Sequence, residues 1–322
     1  MHEIYQQRIA TLRGLLQAHE ADALLITSPA NRRYISGFRG SSGALLITNT
    51  HTILISDFRY RTQASIESPS FTLREVNTEW PLPKLATAIA SECGVQQLAF
   101  EAPHTPYSRY QELLDHANEQ SRQTGHPLSL VPMGNVVERL RAVKSEDELQ
   151  TLRHAIAITD SALQEVIRTI SPDTTEKQVA LKLEMAMRER GAEGVAFPII
   201  VAAGPNSALP HAQPGDNPLG IGRPIVVDMG ALYEGYHADM TRTFIISNGG
   251  EPDTQSDAQF EEVYQTVLNA QQAATAAIRP GMTGVEADEI ARKVIADAGY
   301  GEAFGHGLGR SVGLEIHEDP RL

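Results

Sequence analysis

Three short apolar runs restrict the first part of this chain to a sheet-containing fold. They are Ala23-Leu24-Leu25-Ile26-Thr27, Ala44-Leu45-Leu46-Ile47-Thr48 and Thr52-Ile53-Leu54-Ile55-Ser56. Each is rich in strand formers, and turn residues such as Ser28-Pro29 and Asn49-Thr50 punctuate them. Helical signals alternate with these runs over residues 1–131, which predicts a sheet with packed helices, an α/β arrangement. Residues 118–128 turn polar and lead into Val131-Pro132-Met133-Gly134, a predicted linker. The expected division is therefore 1–133 and 134–322, and a length of 322 residues fits two domains.

The second part predicts long helices around a sheet. Ser145 with Glu148 three residues on forms a capping box, and the helix it opens should run to about Ile170, where Ser171-Pro172-Asp173 ends it. Thr175 and Gln178 open another, closed by Gly191. Phe260, Val263, Tyr264, Val267 and Leu268 lie on one helical face, and Pro280-Gly281 stops that helix. Thr283 and Glu286 cap the next, with a stripe of Ala287, Ile290, Ala291, Val294, Ile295 and Ala298. Both stripes are expected to be core. Between the helix pairs lie three strand-like runs, at 197–201, 224–230 and 237–246. A short loop bearing Tyr233, Glu234 and Gly235 joins the second and third as a β-hairpin.

Bulk properties exclude some functions. A net charge of −13 repels phosphate backbones and anionic membranes, so neither nucleic acid nor a membrane is an expected partner. No run approaches the ~18–20 apolar residues that cross a bilayer. The start, Met1 to Arg8, lacks the apolar core of a secretory signal. Cys93 is the only cysteine, which rules out an internal disulfide and suits a reducing compartment, hence a cytoplasmic location.

Asp228 ends an apolar run and Asp239 follows on the returning strand. A turn between Tyr233 and Glu234 would set the two aspartates directly opposite, with Cβ atoms about 5 Å apart. A turn centred on Glu234-Gly235 would set them diagonally. Two buried carboxylates that close need compensation. A divalent cation bound by hard oxygens supplies it; so does an arginine, and solvent contact is the bland alternative. His211 lies on the turn-rich loop Asn206-Ser207-Ala208-Leu209-Pro210-His211, where it could donate to a substrate carbonyl or simply face water. The densest segment is 304–318, with His306, Arg310 and His317 among four glycines. Such a backbone suits the wall of an active site or a glycine-rich turn between strands. It lacks the lysine of a phosphate-binding loop, so a nucleotide site is not expected.

The order His211, Asp228, Asp239, a Gly-His-Gly segment at 305–307 and His317-Glu318-Asp319-Pro320 resembles the pita-bread metallopeptidases. Within them it is most similar to the Xaa-Pro aminopeptidases and prolidases. Residues 31–43 resemble that branch's creatinase-like N-terminal domain. The resemblance implies a creatinase-like α/β domain over 1–133 and a pita-bread peptidase domain over 134–322. It implies Asp228 and Asp239 as metal ligands, His211, His306 and His317 as catalytic histidines, and a divalent metal, manganese with cobalt or zinc as substitutes. The activity implied is hydrolysis of the amino-terminal Xaa-Pro bond of short proline-containing peptides by a homodimer. Two departures accompany it. Arg310 stands where the family places a histidine ligand, and a guanidinium cannot ligate a metal. It is expected to turn toward Asp239 or to bind the carboxylate of a substrate. Leu322 also comes before the two glutamate ligands of the family, so residues 1–322 alone are expected to be inactive. A metal-free, creatinase-like hydrolase and an inactive binding domain are the two alternatives.

Overall fold

The computed structural model describes residues 2–247 and 258–322. The chain divides into two compact units, Met1–Val143 and Lys144–Leu322.

The first unit contains α1 (His2–Ala18), β1 (Ala23–Ile26), α2 (Pro29–Ser36), β2 (Ala44–Thr48), β3 (Thr52–Ser56), α3 (Arg61–Glu67), β4 (Thr72–Glu75), α4 (Leu82–Glu92), β5 (Gln97–Glu101), α5 (Tyr107–Thr124), β6 (Ser129–Met133) and α6 (Val136–Ala142). Its six strands form one mixed sheet in the order β4-β3-β2-β1-β5-β6. The three apolar runs are its centre, β1 and β2 being buried throughout, as expected of strands covered on both faces. Leu25, Leu46 and Ile55 pack with Leu85, Ile89 and Leu113 of α4 and α5. The predicted linker is not a linker. Residues 118–124 are the exposed last turns of α5, and 129–133 pair parallel to β5 as an edge strand, where Pro132 is tolerated. The division falls at Val143/Lys144 rather than 133/134, because α6 belongs to this unit.

The motif at 31–43 is held by its own backbone. Gly37 takes φ 80° to cap α2. The buried Arg32 donates to the carbonyls of Gly43, at 2.6 Å, and Gly40.

The second unit contains α7 (Glu146–Ile167), α8 (Glu176–Glu189), β7 (Gly194–Val195), β8 (Ile200–Ala203), β9 (Pro224–Met229), β10 (Ala231–Tyr233), β11 (Tyr236–His237), β12 (Met240–Ile245), α9 (Ala258–Ala277), α10 (Gly284–Asp297), β13 (Arg310–Ser311) and β14 (Glu318–Arg321). All three predicted capping boxes, at Ser145, Thr175 and Thr283, are formed. Strands β8, β9 and β12 make an antiparallel sheet, and β7, β10 and β11 a second. Ile158, Leu163 and Val166 of α7, with Val179, Leu183 and Met187 of α8, cover Val201, Ile225 and Val227.

The stripe expected to be core on α9 is not. Tyr264 is 43% and Val267 55% exposed, and the buried residues of the helix are Ala270 and Ala274. These small residues pack with Ala291 and Ile295 of α10, so the close contact runs along an alanine face that the apolar pattern did not single out.

Candidate active site

The hairpin carrying the two aspartates has the second of the two expected registers. Tyr233 pairs with Tyr236 and Leu232 with His237, so the turn is centred on Glu234-Gly235. Both residues have positive φ, 43° and 70°, the requirement of a tight two-residue turn that Gly235 meets without strain. Asp228 consequently faces Thr241 directly. Asp239, two residues before Thr241, is its diagonal and not its direct neighbour.

Between the two aspartates the hairpin changes partners. The long predicted run 237–246 splits at Ala238-Asp239 into β11, on β10, and β12, on β9. Gly230 stands opposite this break, and a Cβ there would overlap the Ala238 carbonyl oxygen. The missing side chain lets the two strands approach at the point where Asp239 is presented.

Asp228 is half-buried and its Oδ1 accepts from Thr241 Oγ1 at 2.8 Å. Burial raises its pKa above the usual aspartate range; the Thr241 hydrogen bond opposes that, the Asp239 charge adds to it, and Arg310 opposes it. The two carboxylates and the guanidinium therefore share one electrostatic neighbourhood. Arg310 Nη2 donates to Asp239 Oδ2 at 3.0 Å, the first of the two orientations expected for this side chain.

Arg310 belongs to a segment anchored at both ends. On the N-terminal side, Asp288 and Arg292 lie one turn apart on α10. Arg292 donates to the carbonyls of Phe304 at 2.8 Å and His306 at 2.9 Å, and Asp288 accepts from the Leu308 amide at 2.8 Å. On the C-terminal side, Lys144 and Glu318 form an ion pair at 3.1 Å with side chains only 8% and 5% exposed. Lys144 also donates to Ser311 Oγ at 2.8 Å, and Glu318 Oε1 accepts from the Glu315 amide at 3.0 Å. Gly313 leaves room for Glu318, since a Cβ there would lie 2.5 Å from its Oε2. The Gly313 carbonyl accepts from the His237 amide at 2.8 Å.

The histidines differ in setting. His306 is exposed and packs edge-on to Phe304, with Asp288 as its charged neighbour. His211 and His317 are exposed, and neither ring is hydrogen-bonded among the described residues. The loop leading to His211 is tied down by Glu176, which is fully buried. It accepts from the amides of Ala203 and Gly215, both at 2.8 Å, and from Asn206 Nδ2 at 3.1 Å. Glu176, Lys144, Glu318 and His237 were not singled out as site residues from sequence. Glu176 follows a capping threonine and Lys144 precedes a capping serine, so local pattern alone assigns both to helix starts.

The donor set does not complete a metal shell. No group of three or more His, Cys, Asp or Glu side chains gathers around one point among the described residues. A hard divalent ion takes about six oxygen ligands. The pair offers two carboxylates, one already bound to Thr241 and the other to Arg310.

Residues 150–322 match the model of metallopeptidase family M24, and residues 8–143 match the creatinase/prolidase N-terminal domain. The chain is 33% identical over 322 residues to an Xaa-Pro dipeptidase of Pyrococcus horikoshii, covering 99% of this chain and 85% of that one. It is 37% identical over 315 residues to the uncharacterized peptidase YqhT of Bacillus subtilis, covering 98% and 84%. The solved Xaa-Pro dipeptidase from Bacillus anthracis superposes with a TM-score of 0.89 at 34% identity, covering 98% of this chain and 84% of that one. The X-Pro aminopeptidase from Thermotoga maritima superposes at 0.81 and 37% identity, covering 94% and 82%. The pita-bread fold, the creatinase-like first domain and the matched residues agree: this chain belongs to metallopeptidase family M24.

Proposed function

We propose that the intact protein hydrolyses the Xaa-Pro bond at the amino end of short proline-containing peptides. One observation carries the reading. Similarity runs through both domains to solved Xaa-Pro enzymes, at 34% and 37% identity over nearly the whole chain. A divalent cation belongs to the proposal through the family, manganese first and cobalt or zinc as substitutes.

The chain's own side chains are given these roles. Asp228 and Asp239 form the anionic centre. His211 and His317 carry free ring nitrogens on anchored loops, so they can donate to the scissile carbonyl and to the oxyanion that develops from it. Their anchors matter because a donor must already point at the developing charge to favour the transition state. His306, beside Phe304, is proposed as a third histidine of the site. A cytoplasmic location fits the single cysteine and the lack, among the described residues, of a helix able to cross a membrane. The homodimer rests on the family resemblance.

The test is release of free alanine from Ala-Pro and from Ala-Pro-Gly, with Ala-Ala as control, by the intact protein in manganese and after chelation. Cleavage confined to the proline peptides and lost on chelation is the expected result. Equal cleavage of Ala-Ala would overturn the specificity, and activity unchanged by chelator would overturn the metal.

A further inference from the structure

The aspartate pair is charge-compensated from within the chain. Of its four carboxylate oxygens, Asp228 Oδ1 accepts from Thr241 and Asp239 Oδ2 from Arg310. The other two carry no protein donor among the described residues. We propose that Arg310 is a built-in counter-ion to Asp228 and Asp239, one that competes with a divalent cation for Asp239 and weakens its binding there. The proposal rests on these aspartates being the centre of the site and not on the identity of the substrate.

Three observations support it. A guanidinium is a planar cation suited to carboxylates, so Arg310 brings a positive charge to the Asp239 carboxylate. Its Nη2 sits 3.0 Å from one of the two Asp239 carboxylate oxygens, so it repels a cation approaching Asp239 and competes with one that would bind through that oxygen. The Arg310 backbone is also fixed. It lies in the β13–β14 ladder, paired with Arg321, and the next residue, Ser311, is held by the buried Lys144–Glu318 pair. The guanidinium is thus presented to Asp239 by a preorganised strand.

The experiment is a calorimetric titration of the metal-stripped full chain with manganese, beside Arg310→Gln and Arg310→Ala. Gln keeps a hydrogen-bond donor for Asp239 and removes only the charge. The expected result is that both variants bind manganese more tightly than the parent, by roughly tenfold or more. Adding Asp239→Asn to either should abolish the gain. A gain of less than about threefold in a variant that melts like the parent would overturn the proposal. So would a gain that survives Asp239→Asn, because the tightening would then lie elsewhere. If Arg310→Ala fails to fold, Arg310→Gln decides alone. Arg310→Lys is the charge-retaining control, and a gain in it equal to that of Gln would also overturn the proposal. No arm reads peptide cleavage, so failure of the Xaa-Pro reading leaves the metal titration interpretable, and the reverse holds too.

Discussion

Asp288 holds a stretch of glycine-rich backbone through its negative charge. The Arg292 hydrogen bond depresses its pKa most; the Leu308 amide and the charges of Arg292 and His306 add to this, and desolvation opposes it. For a carboxylate with a depressed folded pKa, the stabilisation is present above its unfolded value and is lost as pH falls through its folded value. The tie between α10 and Leu308 should therefore survive to a pH below the ordinary aspartate range and then release. The Leu308 amide proton shift, followed by NMR on acidification, reads this directly. The parent should show a midpoint below the ordinary aspartate value, and Asp288→Asn should show no such transition. A midpoint at or above that value would mean that the carboxylate does not hold the segment. Such roles escape sequence reading because Asp288 and Leu308 are twenty residues apart. Only the charged pair with Arg292, one helical turn on, is a local pattern.

Elements were more legible than their registers. The strand runs at 23–27, 44–48 and 52–56 and all three capping boxes stand where apolar pattern and cap chemistry place them. The hairpin shows the limit. Alternation gives two strands and a turn, but the side-chain period of two leaves competing turn centres. Centring on Glu234-Gly235 wins because the turn needs positive φ at both positions; centring on Tyr233-Glu234 would require it of a tyrosine. Of the proposed site, the proximity of Asp228, Asp239 and Arg310 was legible, and the three do share one neighbourhood. Its supports were not, because a buried ion pair such as Lys144–Glu318 spans most of the unit and leaves no periodic trace. That pair gives a prediction at this scale. Lys144→Met removes the cation paired with the buried Glu318 and should destabilise the second unit by about 3–5 kcal/mol. Lys144→Met with Glu318→Leu should recover much of the loss, since removing both partners also removes both desolvation costs. Urea unfolding of the four proteins in the cycle measures the coupling. Strictly additive effects would show that the pair does not act as a unit.

At the scale of the whole molecule, two domains follow from length and from the change in pattern near the middle, but composition misplaces the border. The polar stretch at 118–128 is the solvent face of α5 and the turn after it, and the residues that follow add an edge strand to the first sheet. Helix α6 then returns to that unit. Val136 and Val137 are 7% and 1% exposed. Arg141 donates to Asn31 Oδ1 at 2.6 Å, Asn31 donates to Glu138 at 2.6 Å, and Tyr34 Oη donates to the Leu140 carbonyl at 3.1 Å. A fragment of residues 1–143 therefore contains a closed core, and it should melt cooperatively by itself. A fragment of 1–133 should not match it. Two buried valines are worth about 1.5–3 kcal/mol each. Without α6, the buried Asn31 also loses its partners Glu138 and Arg141, at a further cost of about 1–3 kcal/mol. The sum is comparable with the whole stability of a small domain, about 5–15 kcal/mol. The shorter fragment should thus be largely unfolded or melt at a much lower temperature, as circular dichroism of the two fragments would show. Equal melting temperatures would place the border of the folding unit at residue 133 after all.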